Sequence, residues 1–453
     1  MRWFVSSLLG GVLVGSVALA QSRPIEPRPP ATPPIPAAAP ATSMLATERF
    51  LFVVRGDVLY QFDVLTLALL NTHAFPAAKG DRTRPVAPPI SSKPDATWIE
   101  PAWPVSPVVA TNPFGEGIDA ALQWLEQHQD EDGHWDSDGF MKHDLEGDPC
   151  DGPGNAIYDV GLTGLSMLAM LGGGSTLRGG AYQDNLQRAA VWLCDQQSEN
   201  GMFGSAASQA YIYDHAIATF AMCEAYGLSS KHARLKDAAQ KGLHYLESHR
   251  NPYGVWRYQP RGGDGDTSAT TWAVLACASG KAFGLAVDEA TTKTALVYYD
   301  AVTGSDGRVG YTKAGERSSR PVGRQERFPA ENGEAMTAAG LFGRFVLGQN
   351  PALTPKMFAG ADRLAACLPT WEPGHVDAVY WYFGSYAMYQ MGGRHWQAWQ
   401  PTLETLLVHQ RQDGNFAGSW DPVGVWDEEG GRVCITALYA LSLEAGYRIG
   451  KVK

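Results

Sequence analysis

At 453 residues, with 45 % apolar and 18 % charged residues, the chain has room for one large or two medium globular domains and can close a sizeable core. A net charge of −11 and the lack of any Lys/Arg cluster exclude nucleic acid as a main partner. The 14 Trp and 18 Tyr point instead to a lined cavity or a core of large plates.

Residues 1–20 read as a secretory signal: Arg2 precedes the apolar run Trp3–Ala20, which ends in the small-x-small sequence Ala18-Leu19-Ala20. The expected location is therefore exported, periplasmic or secreted. No later stretch is apolar and long enough to span a bilayer, so no membrane span is expected after cleavage. Residues 21–47 are rich in Pro and Ala and read as a disordered tether. Residues 48–76 alternate apolar and polar positions around a Gly56-Asp57 turn, which predicts a small β-hairpin or three-stranded meander. Residues 77–111 are again Pro-rich, without periodicity, and read as a linker. Six scattered Cys lack a CxxC pair and are expected as buried thiols, with one or two disulfides left open.

A repeat begins near Asn112. Its turn combines Leu, Gln, Gly and an aromatic at fixed intervals: Leu125, Gln129, Gly133, Trp135; then Leu193, Gln197, Gly201, Phe203; then Leu246, Arg250, Gly254, Trp256. A degenerate copy is Tyr299, Thr303, Gly307, Val309, and the last is Leu406, Gln410, Gly414, Phe416. The period is about 53 residues, and the final step spans two periods, so one copy has decayed and the units number six. Each unit reads as an amphipathic helix ended by the glycine turn, then a helix of small residues such as TSATTWAVLACASG. Small residues let helices approach closely, as an inner ring demands. The fold class expected is all-α: an α/α toroid of six helix hairpins over 112–450, preceded by the small β-meander.

The Q-x-x-x-G-x-W/F turns resemble those of the squalene cyclase and protein prenyltransferase β-subunit superfamily. GGDGDTSATTW resembles the acidic D-x-D-D-T-A segment of squalene–hopene cyclases, and DAVYWYFGSYAMYQMGG a prenyltransferase segment. The overall look is similar to exported squalene-cyclase-like proteins of planctomycete-type bacteria. Aligning on Asp-Thr puts Asp266 on the last acid of the cyclase motif and Gly265 where the proton-donating Asp stands. Phe383 falls near the zinc-ligand His of the prenyltransferases, and no Asp-x-Cys pair precedes it. No catalytic zinc is therefore expected, and no cofactor.

In such a ring all inner helices start at one end, so the acids near their starts gather at one mouth: Asp159, Asp214 with His215, Asp264 and Asp266, Glu331 and Glu334, and Asp377. Asp264 with Asp266 is the candidate catalytic pair, since adjacent carboxyls drive their pKa values apart and supply an acid and a base. Helix capping is the competing role for Asp266 and Asp214, and a structural histidine for His215. Trp256, Trp272, Tyr380, Trp381 and Tyr382 are candidate aromatic faces for a cationic intermediate, or core plates. Arg432 would pair with a rim acid. Cys223 lies two helical turns from His215, too far to share a metal with it. His143 with Asp144, Asp148 and Asp151 forms an acidic loop open to calcium. Three readings stay open: an isoprenoid-cyclising or isoprenoid-binding toroid, a non-catalytic toroid holding a lipid or protein partner in its cavity, and a secreted carbohydrate-active α/α barrel.

Overall fold

The structure, a computed structural model, describes the backbone of residues 43–46, 50–55, 58–63 and 69–74, and residues 112–208, 211–229 and 231–450. The expected leader, residues 1–20, and the expected linker, 77–111, lie outside the described residues.

The first unit holds an antiparallel sheet in the order β1-β2-β3-β4: β1 (Ser43–Ala46), β2 (Phe50–Arg55), β3 (Val58–Asp63) and β4 (Leu69–Ala74). Val53 stands opposite Tyr60, and Ser43 opposite Val54. The meander has one strand more than expected, because β1 comes from the end of the Pro/Ala-rich stretch.

Residues 112–450 form six helical hairpins. Their first helices are α1 (Gly115–Gln127), α3 (Gln183–Asp195), α5 (Ala233–His249), α7 (Glu289–Val302), α9 (Pro355–Ala366) and α11 (Gly393–His409). Their second helices are α2 (Asp159–Gly172), α4 (Tyr211–Leu228), α6 (Thr267–Ala282), α8 (Ala335–Val346), α10 (Ala378–Met391) and α12 (Asp427–Leu443). The second helices pack around a circle, α2 on α4, α4 on α6, α6 on α8, α8 on α10, α10 on α12, and α12 back on α2. Residues 112–450 are thus a closed α/α toroid.

Composition explains the layering. Helix α1 buries the stripe Ile118, Ala121, Leu122 and Leu125 and leaves Asp119, Gln123 and Glu126 exposed, the pattern of an outer wall. Helix α2 is buried all round from Gly161 to Gly172, because neighbours cover it on every side. At Gly161 and Gly164 a Cβ would lie 2.4 Å from Asp214 Oδ1 and 3.1 Å from Ala218 Cα, so only glycine lets α2 and α4 meet this closely.

Five of the turns share one construction. Gly133, Gly201, Gly254, Gly307 and Gly418 adopt φ of +106°, +94°, +82°, +80° and +96°. Each presses on the next outer helix, at Arg188, Lys241, Thr294, Ala359 and Ala120 respectively. The turn glutamine donates to its own turn and to the next outer helix. Gln129 Nε2 reaches Gly133 O and Asn185 O at 2.8 and 3.0 Å, and Gln197 Nε2 reaches Gly201 O and Ala238 O at 3.0 and 2.9 Å. Trp135, Trp256 and Trp420 are fully buried and give their indole N–H to the carbonyls of Leu125, Leu246 and Leu406 at 2.7–2.8 Å. This satisfies the one polar atom that burying an indole would otherwise strand.

Two copies depart from the expected register. In the last turn Gln410 donates to Gly418 O, and Trp420 rather than Phe416 fills the plug position. Gly414 has open space around its α-carbon, so the turn carries an insertion and its working glycine is Gly418, not Gly414. In the fifth hairpin the Gly–aromatic device is replaced by Trp371, stacked 4.5 Å and 9° on His409 at the end of α11.

Candidate functional site

The inner helices all begin at one end of the ring, so their N-terminal residues form its mouth. The other end is closed. Arg448, buried, reaches Leu168 O on α2, Glu224 on α4 at 2.5 Å and Glu444 at 3.0 Å. Above this ion triad, Trp272 of α6 stacks on Tyr382 of α10 at 5.1 Å and 10°. These helices are not neighbours in the ring, so the stack crosses its interior. Tyr386 lies on Phe342 at 5.1 Å and donates to Leu441 O at 2.9 Å.

The expected catalytic pair divides into two unlike residues. Asp264 has a side chain 62 % exposed and pairs with Arg257. Asp266 is fully buried and caps α6, accepting from Ala269 N at 2.9 Å, Ser268 Oγ at 2.6 Å and Tyr213 Oη at 3.2 Å. One carboxylate is in water and the other is saturated by its cap, so neither is the dry, paired acid envisaged for them.

The carboxyls that meet that description are Asp159 and Asp214, at the starts of α2 and α4. Asp214 is buried, and burial first, then the charge of Asp159, pushes its pKa well above the carboxylate range. Asp159 is pushed up to about 6 by burial, opposed by the Ser137 N–H that it accepts at 3.0 Å. Beside them Tyr158 is raised to about 12 by burial and by the charges of Glu429 and Asp214. A half-buried tyrosine rim continues from there. Tyr213 Oη lies 2.8 Å from Ser268 Oγ, Tyr258 and Tyr311 join hydroxyls at 2.7 Å, and the Arg257 guanidinium lies over both of their rings at 5.4 and 5.6 Å.

The other expected residues fall into place as follows. His215 is fully buried. Its Nδ1 accepts from Phe203 N at 3.0 Å and its Nε2 donates to Gly242 O at 3.1 Å, and burial lowers its pKa to about 3. It occupies the place held in other repeats by Thr163, Thr270 and Thr337, which accept from Trp135, Trp256 and Val309 N–H groups. It is a wall residue with both nitrogens committed. Trp256 is likewise in the wall, and Tyr380 donates to Cys367 O at 2.6 Å against Trp399. Glu331 is exposed beside Arg317; Glu334 is buried and clasped by Arg308 and Arg363. Arg432 does not pair with a mouth acid of the expected set. It closes the seam, binding Asp151, Ser419, Trp420 O and Asp421.

Asp377 caps α10 through Tyr380 N at 3.1 Å and faces Arg320 at 3.4 Å; burial raises its pKa and Arg320 restrains the rise. Near it, sequence reasoning passed over Asp427, which burial pushes up to about 7. Asp427 Oδ2 accepts from Gly424 N at 2.6 Å, while its Oδ1, the Tyr439 hydroxyl and the Trp381 indole N–H have no hydrogen-bond partner among the described residues. Trp381 and Tyr439 pack edge to face at 5.8 Å. Asp427 opens the run Asp-Glu-Glu, which reads as an ordinary helix start, so no signal in the sequence set it apart.

No family model and no curated protein matches the sequence. Among solved structures, a cellobiose 2-epimerase from Bacillus thermoamylovorans superposes with a TM-score of 0.50 at 12 % identity, over 74 % of this chain and 99 % of that one. An α-1,6-mannanase from Salegentibacter sp. gives 0.49 at 11 % identity, over 74 % and 99 % of the two chains. A type II terpene cyclase from Scytonema gives 0.46 at 16 % identity, over 74 % and 98 %. At such identities the epimerase's likeness speaks for the α/α-toroid fold alone.

Proposed function

We propose that the chain is an exported toroid that takes an apolar, isoprenoid-type ligand into the mouth of its inner ring, and that Asp214 is the acid that acts on it. The observation carrying this reading is the pair Asp159 and Asp214, a half-buried and a buried carboxyl on adjacent inner helices, both with pKa raised. A carboxylic acid kept protonated at neutral pH is what alkene protonation requires, and a neighbouring carboxylate retains its proton until it is needed. The Asp214 O–H breaks, its proton adds to one alkene carbon, and the positive charge forms on the other. The stacked pair Trp272 and Tyr382 in the ring's interior offers aromatic faces able to stabilise such a cation.

The test begins with solvent extraction of the purified protein and mass spectrometry of what it carries. Incubation with linear polyprenyl substrates follows, comparing wild type with Asp214→Asn, Asp264→Asn and Asp266→Asn. Turnover lost in Asp214→Asn and kept in Asp264→Asn supports the reading. Turnover indifferent to Asp214 overturns it, and a retained lipid that no variant converts leaves a non-catalytic binding toroid.

A second reading rests on the tyrosine rim. Tyr213, Tyr258 and Tyr311 with Arg257 offer half-buried rings and hydroxyls together, the mixture that suits a sugar face better than a polyene. Oligosaccharide binding that Tyr258→Ala abolishes and Asp214→Asn spares would favour it.

A further inference from the structure

We propose that His128, Asp144 and Cys150 bind one zinc-class divalent ion, a structural metal that fastens the first hairpin loop at the seam of the ring. One ligand atom from each lies within 4.8 Å of the other two. An ion bound to all three would sit about 2.0 Å from the imidazole nitrogen and about 2.3 Å from the sulfur, the usual zinc distances.

The hydrogen bonding of His128 carries the argument. Its Nδ1 lies 2.7 Å from Trp124 O, and a carbonyl can only accept, so Nδ1 holds the ring proton. In the neutral ring Nε2 then presents a lone pair, and it faces Asp144 Oδ1 at 3.0 Å, another lone pair. The two side chains are 0 % and 6 % exposed, so solvent does not separate them. Such a contact is repulsive until a proton or a metal ion sits in it, and the Cys150 thiol alongside completes a donor set that suits the metal ion. An imidazole that gives one N–H to a backbone carbonyl and points the other nitrogen at a carboxylate and a thiol is also the arrangement that orients metal-binding histidines. Stacking on Trp124 at 4.1 Å, with Phe140 at the ring edge, holds the imidazole in that pose.

The donors choose the metal. A thiolate, an imidazole and one carboxylate suit zinc and disfavour magnesium and calcium, which take oxygen. Binding displaces the thiol proton of Cys150 to solvent.

The surroundings assign the role. Asp144 Oδ2 accepts from Cys150 N at 2.6 Å, and Cys150 Sγ lies 3.1 Å from Asn415 O. Asn415 also bonds Leu145 N, Leu145 O and Asp148 O at 2.9–3.0 Å. It sits in the insertion of the last turn, between Gln410 and Gly418. The ion would therefore tie the end of α1 to its own loop, and that loop to the last hairpin.

The experiment uses the full chain, stripped with a chelator and titrated with Co(II). Expected are one Co(II) per chain, a thiolate-to-cobalt charge-transfer band and tetrahedral d–d bands, all removed by added Zn(II). Cys150→Ser loses the charge-transfer band, and Cys194→Ser keeps it. Chelation lowers the thermal midpoint of the wild type and leaves that of Cys150→Ser unmoved. If His128→Ala fails to fold, the wild type and Cys150→Ser carry the test by themselves. No charge-transfer band at stoichiometric Co(II), a band persisting in Cys150→Ser, or a wild-type midpoint indifferent to chelator overturns the proposal and leaves His128 and Asp144 as an imidazolium–carboxylate pair.

Discussion

Gln410 of the last hairpin donates its side-chain amide to the backbone carbonyl of Gly117 in the first, at 2.8 Å, with its other hydrogen on Gly418 O at 2.9 Å. This is the same clamp that Gln129 and Gln197 make on the outer helix that follows them, so the ring closes with the bond that builds it. Gln410→Ala leaves two buried carbonyls without a donor and is expected to lower stability by about 1–3 kcal/mol. Gln412→Ala, whose amide only grazes Gln410 O at 3.3 Å, is expected to change it by less than about 0.5 kcal/mol. Denaturant unfolding of the two variants side by side checks this, and equal losses would contradict the clamp.

The insertion in the last turn gives a sharper comparison. Gly414 and Gly418 both have positive φ, +48° and +96°, so either change to alanine costs about 1 kcal/mol in backbone strain. Around Gly414 there is open space, whereas a Cβ on Gly418 would sit 2.1 Å from Ala120 O on α1. Gly418→Ala is therefore expected to cost more than about 2 kcal/mol and Gly414→Ala about 1. A larger loss at Gly414 would restore the simpler register, with Phe416 as the plug.

That register shows what could and could not be read in advance. A Gly turn and a buried indole are local devices with local residue signatures, so Gly133, Gly201 and Gly254 were legible and with them the toroid. The fifth hairpin was counted, but its turn was not legible, because its seam is a contact between Trp371 and His409 rather than a local Gly–aromatic device. The mouth acids were legible as a set, since helix starts are. Their individual fates were not. Asp264 and Asp266 differ only by which falls inside the cap, and Asp214 and Asp427 differ from ordinary caps only by burial, which belongs to the closed ring.

Asp427 should make stability fall as pH rises. Its folded pKa, about 7, lies above the ordinary 3.8, so the folded state holds the proton longer than the unfolded chain does. The cost of ionising it is absent below about pH 4, grows between the two values and is complete above about pH 7, reaching up to about 4 kcal/mol. Asp427→Asn keeps an oxygen for Gly424 N and cannot ionise. Unfolding measured from pH 4 to 8 should show the wild type losing stability relative to Asp427→Asn, with the variant the more stable at pH 8. Parallel curves would show that the carboxyl is solvated.

His215 has the opposite sign. Its folded pKa of about 3 lies below the ordinary 6.5, so its contribution is intact above pH 6.5 and is lost as pH falls toward 3. At pH 5 the wild type has already given up about 2 kcal/mol. Thr163, Thr270 and Thr337 show that threonine can accept the same turn N–H at this position. His215→Thr forfeits the bond to Gly242 O and some packing, an expected loss of about 1–3 kcal/mol at pH 8. At pH 5 that loss should shrink toward zero, because the variant has no imidazole to protonate. Ligand occupancy by extraction and mass spectrometry should be unchanged. A penalty independent of pH would mean that the imidazole titrates alike in the folded and unfolded chain, and a variant that folds but loses its ligand would put His215 in the mouth rather than in the wall.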